Sequence, residues 1–177
     1  MGLHPSRAVS VDYVDVSRYF GKYGDKKPKR WYEKARKPNW FERGMTRAVA
    51  FYSVNQDGSV RIKNSGIRDG VLYSAEGWAH PIESNPDIPY SSKSNSRFSV
   101  QFSWFQLVDS DYGNYIIMDL VDGKDPEQYD YALVSDKSGS YVWVLSRLSD
   151  EVPDEIKDRF NKKLIDHGIN TDDLFYE

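Results

Sequence analysis

The sequence predicts an all-β fold, an eight-stranded up-and-down antiparallel barrel with one C-terminal α-helix packed outside it. Past residue 30, apolar and polar residues alternate with a period of two. Short turns rich in Asp, Gly and Ser separate these segments, as is typical of hairpins. Near the C terminus the period changes once, to that of an amphipathic helix. A sequential meander of this kind closes most naturally into a barrel, because a barrel leaves no strand edge exposed.

The first four strands are predicted over residues 31–36, 48–53, 60–64 and 71–79. Asp57-Gly58 separates the second strand from the third, and Asp69-Gly70 separates the third from the fourth. Asp-Gly is a strong hairpin signal, because type I′ turns require positive φ at both central positions. These three strands are therefore expected to form consecutive hairpins.

The last four strands are predicted over residues 97–104, 114–121, 129–134 and 141–147. A polar loop with three prolines, residues 81–96, precedes them. In the first of these strands, Phe98, Val100, Phe102 and Trp104 share one face, while serine and glutamine occupy the other. Such alternation indicates a strand with one face turned toward a core.

The C-terminal helix is predicted after residue 149. Pro153 suits a first helical turn, and Gly168 is a suitable C-terminal stop. Ile156, Phe160 and Leu164 follow at i, i+4 and i+8, so they form one apolar stripe. This stripe predicts a helix that packs on the outside of the barrel.

Length and composition indicate one domain without catalytic or metal-binding motifs. We assign residues 1–16 to an N-terminal extension and residues 17–177 to the barrel domain. The chain of 177 residues has a net charge of −3 and no cysteine, which excludes disulfides and thiolate metal sites. The three histidines are scattered, and no catalytic signature occurs. We therefore expect no enzyme activity, cofactor or metal.

The interior of the predicted barrel is expected to contain a cavity for one elongated hydrophobic ligand. Small residues on neighbouring strands leave space there, and rings from the opposite wall line it. The predicted ligand-binding residues are Ala50, Tyr52, Ile62, Asn64, Gly77, Phe98, Val100, Phe102, Ile116, Met118, Tyr141 and Trp143. Asn64 and the tyrosine hydroxyls supply its few polar groups.

Several motifs, in order, resemble those of the lipocalin family. They are WYEKAR at 31–36, WFERG at 40–44, AFYSV at 50–54, EGWA at 76–79, YALV at 131–134 and YVWVLSR at 141–147. The resemblance is closest to the branch containing bacterial outer-membrane lipocalins, plant temperature-induced lipocalins and apolipoprotein D. One departure is Lys29, which stands where the first motif has glycine.

The resemblance implies binding and transport or storage of a hydrophobic small molecule, such as a fatty acid or lysophospholipid. It implies that Trp31 closes the narrow end of the barrel, with Arg147 laid across its indole. It also places Trp40 and Phe41 in a loop over the open end. By their flanking position, Arg43 and Arg47 are expected to meet a carboxylate or phosphate at this entrance.

Two alternatives remain open. The first is a lipocalin-fold enzyme acting on a lipid or carotenoid, which requires a titratable group in the lumen, where we expect only tyrosines. The second is a nucleic-acid-binding barrel, suggested by the basic and aromatic residues at 31–44. The acidic chain, with a pI of about 5.7, argues against it, so no nucleic-acid partner is expected.

The N terminus leaves the compartment open. MGLHPS fits the N-myristoylation pattern, which makes Gly2 a candidate lipidation site. No signal-peptide pattern or lipobox cysteine occurs in this sequence. A cytoplasmic or membrane-associated location is favoured on these grounds, with contact to a membrane surface. A monomer or weak homodimer is expected.

Overall fold

The computed structural model describes residues 8–82, 96–103 and 112–177. Gly2, Trp104 and most of the predicted polar loop at 81–96 lie outside these residues. The elements are α1 (Val16–Tyr19), β1 (Lys29–Arg36), β2 (Thr46–Val54), β3 (Val60–Arg68), β4 (Val71–Pro81), β5 (Arg97–Phe102), β6 (Tyr115–Asp122), β7 (Tyr129–Ser135), β8 (Val142–Ser146), α2 (Asp154–Asp166) and β9 (Phe175–Tyr176).

The strands form a closed antiparallel barrel, which confirms the predicted fold class. Each strand from β1 to β8 pairs with the next, and β1 also pairs with β8. The short β9 is additional. It pairs with the second half of β1, through Ala35 and Arg36, where β2 no longer does. The C-terminal segment therefore extends the wall beside the open end of the barrel.

The predicted hairpin at Asp69-Gly70 is present. Asp69 has φ of 53° and Gly70 has φ of 77°, and β3 and β4 pair without interruption from Arg68↔Val71 onward. Both central residues thus adopt the left-handed conformation that this turn requires.

Helix α2 packs on the barrel as predicted. Ile156, Phe160 and Leu164 are buried in a cluster between the helix and the outer barrel wall. The helix is also tied to β6, because Arg159 donates two hydrogen bonds of 2.8 Å to the carboxylate of Asp119. Among the described residues, no helix is both long and apolar enough to span a membrane.

A second cluster of buried rings fills the narrow end of the barrel. Tyr19 and Phe20 enter it from α1 and its C-terminal cap, which sequence analysis did not assign. Trp31 is fully buried, and its Nε1 donates a hydrogen bond to the Tyr19 carbonyl. The guanidinium of Arg147 lies 3.8 Å from the centroid of the Trp31 ring.

The predicted inward face of β6 is wrong for part of this strand. Ile116 and Met118 belong to the cluster under α2, outside the barrel, whereas Ile117 belongs to the inner cluster. Alternation on β6 is ambiguous, because both faces of this strand are apolar and buried. The register with β7 also shifts between Ile117 and Asp119. The sequence offers no polar face to orient such a strand.

Candidate functional site: a cavity at the open end of the barrel

Above the buried rings, the barrel encloses a cavity of about 250 Å³. Its wall is mostly apolar, with polar groups at the bottom and near the opening. The lining residues are Glu33, Phe41, Glu42, Met45, Ala48, Val49, Ala50, Tyr52, Ile62, Asn64, Ser65, Arg68, Tyr73, Ser74, Ala75, Val100, Phe102, Asn114, Tyr115, Val134, Trp143 and Leu145. A concave apolar site with a few polar groups is suited to a small hydrophobic ligand.

The bottom of the cavity carries a network of three tyrosine hydroxyls. The Tyr115 hydroxyl lies 2.6 Å from that of Tyr19 and 3.2 Å from that of Tyr52. Burial raises the pKa of Tyr52 to about 12 and raises the pKa values of Tyr19 and Tyr115 as well. The three groups are therefore neutral at physiological pH, and Tyr52 and Tyr115, which line the cavity, present hydroxyls rather than charge to the lumen.

Seven of the twelve predicted ligand-binding residues line this cavity. They are Ala50, Tyr52, Ile62, Asn64, Val100, Phe102 and Trp143. Phe98 lies below the cavity, with its ring centroid 5.0 Å from that of Phe20. Ile116 and Met118 lie outside the barrel. Tyr141 directly precedes β8 and stacks on Trp143, with ring centroids 6.1 Å apart, but it does not line the cavity.

The role of Gly77 differs from the predicted one, which was ligand binding. A Cβ at this position would lie 2.6 Å from the Gln101 carbonyl oxygen and 2.8 Å from the Phe102 ring. The missing side chain thus admits the neighbouring strand and the Phe102 ring, rather than leaving space for a ligand. Of Gly77 and Phe102, only Phe102 lines the cavity.

A mouth loop, residues 37–45, covers one side of the opening. Phe41 points from it into the cavity and contacts Tyr141 and Trp143, with centroid distances of 5.6 and 6.4 Å. Arg36 fixes the loop from below, because its Nη2 donates hydrogen bonds to the Glu42 and Met45 carbonyls. The loop is therefore anchored by specific contacts to strand β1.

The other predicted entrance residues lie outside the cavity, Trp40 and Arg43 on the mouth loop and Arg47 at the start of β2. Trp40 is 59 % exposed, and Trp40 and Arg43 border a separate open depression of about 410 Å³ next to β9. Arg47 is exposed, and its backbone N–H donates to the Glu177 carboxylate. Neither arginine lines the cavity.

Two carboxyl groups, from Glu33 and Glu42, line the cavity near its mouth. The Glu33 carboxylate lies 3.1 Å from Arg36, and Glu42 Oε1 accepts a 2.8 Å hydrogen bond from Trp143 Nε1. Burial raises the pKa of Glu33 well above its ordinary value. The adjacent Glu42 raises the pKa further, and Arg36 opposes the shift.

These two groups correct the expectation that tyrosines are the lumen's only titratable residues. For Glu33 a signal was available, since it lies two residues after the inward-facing Trp31 and thus on the same face of β1. Glu42 belongs to a loop, where no periodicity predicts orientation.

Two further polar side chains face the cavity with unfilled hydrogen-bonding capacity. Asn64 Oδ1 and Arg68 Nε are buried and have no hydrogen-bond partner within the described part of the chain. The same part contains no group of three or more His, Asp or Glu residues arranged to hold a metal ion.

The chain matches the family model described as "Lipocalin-like domain" over residues 14–177. It is 30 % identical to "Outer membrane lipoprotein Blc" of Vibrio cholerae over 174 residues, covering 97 % of this chain and 86 % of the relative. It is 26 % identical to "Temperature-induced lipocalin-1" of Arabidopsis thaliana, covering 93 % and 78 %. Apolipoprotein D of Macaca fascicularis is 28 % identical, with 88 % and 72 % covered.

Solved structures agree with the fold. H1 crustacyanin from the lobster Homarus americanus superimposes with a TM-score of 0.57, at 14 % identity, covering 98 % of this chain and 88 % of that one. The predicted boundary between extension and barrel, at residues 16 and 17, stays a prediction.

The relatives correct the expectation about location. The preference for a cytoplasmic location was wrong, because the bacterial relatives from several species are named outer membrane lipoproteins. That name describes proteins of the cell envelope. Contact of this chain with a membrane surface stays a prediction. The resemblance inferred from the motifs is confirmed, as is its branch: this chain belongs to the lipocalin family, whose members bind and transport hydrophobic small molecules.

Proposed function

We propose that this lipocalin binds and carries or stores a lipid with a single acyl chain, a fatty acid or a lysophospholipid. The observation that carries the proposal is the apolar cavity at the open end of the barrel, between Ala50, Ile62, Val100 and Phe102. Each methylene group buried there contributes about 0.8 kcal/mol before ordering costs. The volume of about 250 Å³ leaves room for no more than one acyl chain, with its polar end at the mouth.

The mouth loop and the bottom of the cavity support the same proposal. Phe41 and Trp143 give the opening an aromatic rim, while the neutral tyrosine hydroxyls close the bottom without charge. A ligand enters past the mouth loop, which also carries the exposed Trp40 toward solvent or a membrane surface. The protein acts as a carrier rather than an enzyme, works as a monomer or weak dimer, and functions at the cell envelope.

Binding is tested with a delipidated sample and a cavity-filling variant. Native mass spectrometry before and after organic extraction detects a copurifying lipid, and calorimetric titration with palmitate measures affinity. Ala50→Phe places a ring in the lumen and is expected to weaken palmitate binding at least tenfold. Ser53→Phe, an exposed position on the same strand, adds the same ring outside and is expected to retain the affinity.

Folding of both variants is checked by circular dichroism, since overpacking also costs stability. Equal affinity in Ala50→Phe and wild type would contradict binding in this cavity. A delipidated wild type that takes up neither palmitate nor lysophosphatidylcholine would overturn the proposed function.

Glu33 is a specific observation in favour of the runner-up, a lipocalin-fold enzyme acting on a lipid or carotenoid. A carboxyl group whose pKa is raised by burial in an apolar cavity is suited to donate a proton to a bound substrate. If the chain is such an enzyme, lipid or carotenoid incubated with it yields a product by mass spectrometry, and Glu33→Gln abolishes this product. Unchanged substrate in both samples favours the carrier.

A further inference from the structure

We propose that Arg68 forms a headgroup subsite at the mouth of the cavity that binds the oxyanion of the ligand, a carboxylate or a phosphate. The inference rests on the proposed function and adds the charge class of the ligand to it. It differs from the sequence-based expectation, which assigned this part to Arg43 and Arg47.

Arg68 is the last residue of β3, and its side chain lines the cavity. Two contacts hold the guanidinium in place. Its Nη2 donates a 3.1 Å hydrogen bond to the Phe41 carbonyl of the mouth loop, and its Cζ lies 5.3 Å from the Tyr73 ring centroid. The planar group is thus fixed before a ligand arrives, which reduces the entropy cost of binding.

The guanidinium has no carboxylate partner among the described residues. The two acids that line the same cavity, Glu33 and Glu42, lie within ion-pair distance of Arg36 instead. Arg68 Nε is also buried without a hydrogen-bond acceptor. A half-buried cation with an unused donor is poorly compensated by the protein alone, so an anion from the ligand completes its environment.

The neighbouring cavity wall is polar and carries no negative charge. Ser65 and Ser74 face each other across β3 and β4, and Asn64 Oδ1 lies buried without a partner on the same strand as Arg68. These groups provide hydrogen bonds to the atoms next to a headgroup. The wall that carries Glu33 and Glu42 repels an anion less strongly than two free carboxylates would. Arg36 compensates charge there, and burial keeps the pKa of Glu33 high.

A guanidinium suits carboxylate and phosphate equally, because both accept two parallel hydrogen bonds. The ligands used in the test must therefore distinguish a carboxylate headgroup from a phosphate headgroup. We suggest titrating four C16 ligands: palmitate, palmitoyl lysophosphatidic acid, palmitoyl lysophosphatidylcholine and the uncharged hexadecanol. Each is titrated into wild type and Arg68→Gln. Glutamine keeps a donor for the Phe41 carbonyl but lacks the charge.

The expected result is a loss of at least tenfold in affinity for one or more anionic ligands in Arg68→Gln, with hexadecanol binding unchanged. Arg68→Lys is expected to recover part of the loss. The ligand with the largest change identifies the oxyanion. Arg43→Gln and Arg47→Gln serve as matched controls and should leave all four affinities within about twofold.

The ratio of anionic to neutral affinity separates recognition from a merely structural role. Equal losses for hexadecanol and the anions would overturn the subsite while leaving the carrier function intact. Unchanged affinities in Arg68→Gln, or losses confined to Arg43→Gln or Arg47→Gln, would overturn it as well. A wild type that binds none of the four ligands would overturn both this subsite and the proposed function.

Discussion

Glu33 is a cavity side chain whose ionisation is coupled to its surroundings. It lies beside Glu42 and Arg36 on the inner face of β1. Burial and the second carboxylate both oppose its negative charge, so the folded protein holds a proton that the unfolded chain releases. Ionisation of Glu33 therefore links folding stability to pH.

The sign of the linkage gives the first prediction on stability. The folded pKa of Glu33 is raised above the unfolded value of about 4.3, so its contribution is fully present below that pH. It is lost as pH rises from about 4.3 toward the folded pKa, by up to about 1.4 kcal/mol per pH unit. Glu33→Gln mimics the protonated form. Urea unfolding should find this variant similar to wild type at pH 4 and more stable than wild type at pH 8.

The exposed Glu127 provides the control for this comparison. Glu127→Gln removes a carboxylate from a surface turn and is expected to leave the pH dependence of wild type intact. A Glu33→Gln variant whose stability differs from wild type by the same amount at every pH would contradict the linkage.

Elements with one polar and one apolar face were predictable from the sequence, and elements apolar on both faces were not. The hairpin at Asp69-Gly70 and the helical stripe of α2 follow from local periodicity and turn chemistry. Strand β6 does not, because its register shifts and both its faces are buried. The face of β1 on which Glu33 lies could be predicted in the same way, from the inward orientation of Trp31 two residues earlier.

Features that depend on nonlocal packing were beyond a sequence-based reading. Gly77 contacts the neighbouring strand and Phe102, which no single-strand pattern reveals. Helix α1 spans only residues 16–19, and its role in filling the narrow end depends on the distant Trp31. The position of Arg68 in the cavity likewise depends on the Phe41 carbonyl, 27 residues earlier in the chain.

The packing of α2 on the barrel gives the second stability prediction. Phe160 of α2 is fully buried against the barrel wall, so Phe160→Ala removes a large apolar surface and leaves a cavity. The expected loss is about 3–5 kcal/mol in the free energy of unfolding. Ile165→Ala, on the same helix but 62 % exposed, should change stability by less than about 0.5 kcal/mol. Similar losses for the two variants in urea denaturation would contradict this packing.

At the scale of the whole molecule, two buried clusters stabilise different parts of the structure. The inner cluster fills the narrow end of the barrel and continues into the wall of the cavity above it, while the outer cluster fixes α2 to the barrel wall. At the narrow end, the side chain of Arg147, the residue after β8, contacts both the N-terminal segment and the start of β1.

This junction gives the last prediction. The Arg147 guanidinium donates hydrogen bonds to the carbonyls of Arg18, Tyr19 and Arg30 and lies over Trp31. Lysine keeps a charge but cannot reproduce this planar set of donors, so Arg147→Lys should cost about 2–4 kcal/mol in urea unfolding. Arg61→Lys, in a surface ion pair with Glu76, should cost less than about 0.5 kcal/mol. Because the cavity lies at the other end, palmitate affinity of the folded Arg147→Lys protein should stay within about twofold of wild type. Equal stability of the two variants would show that the three carbonyls do not depend on Arg147.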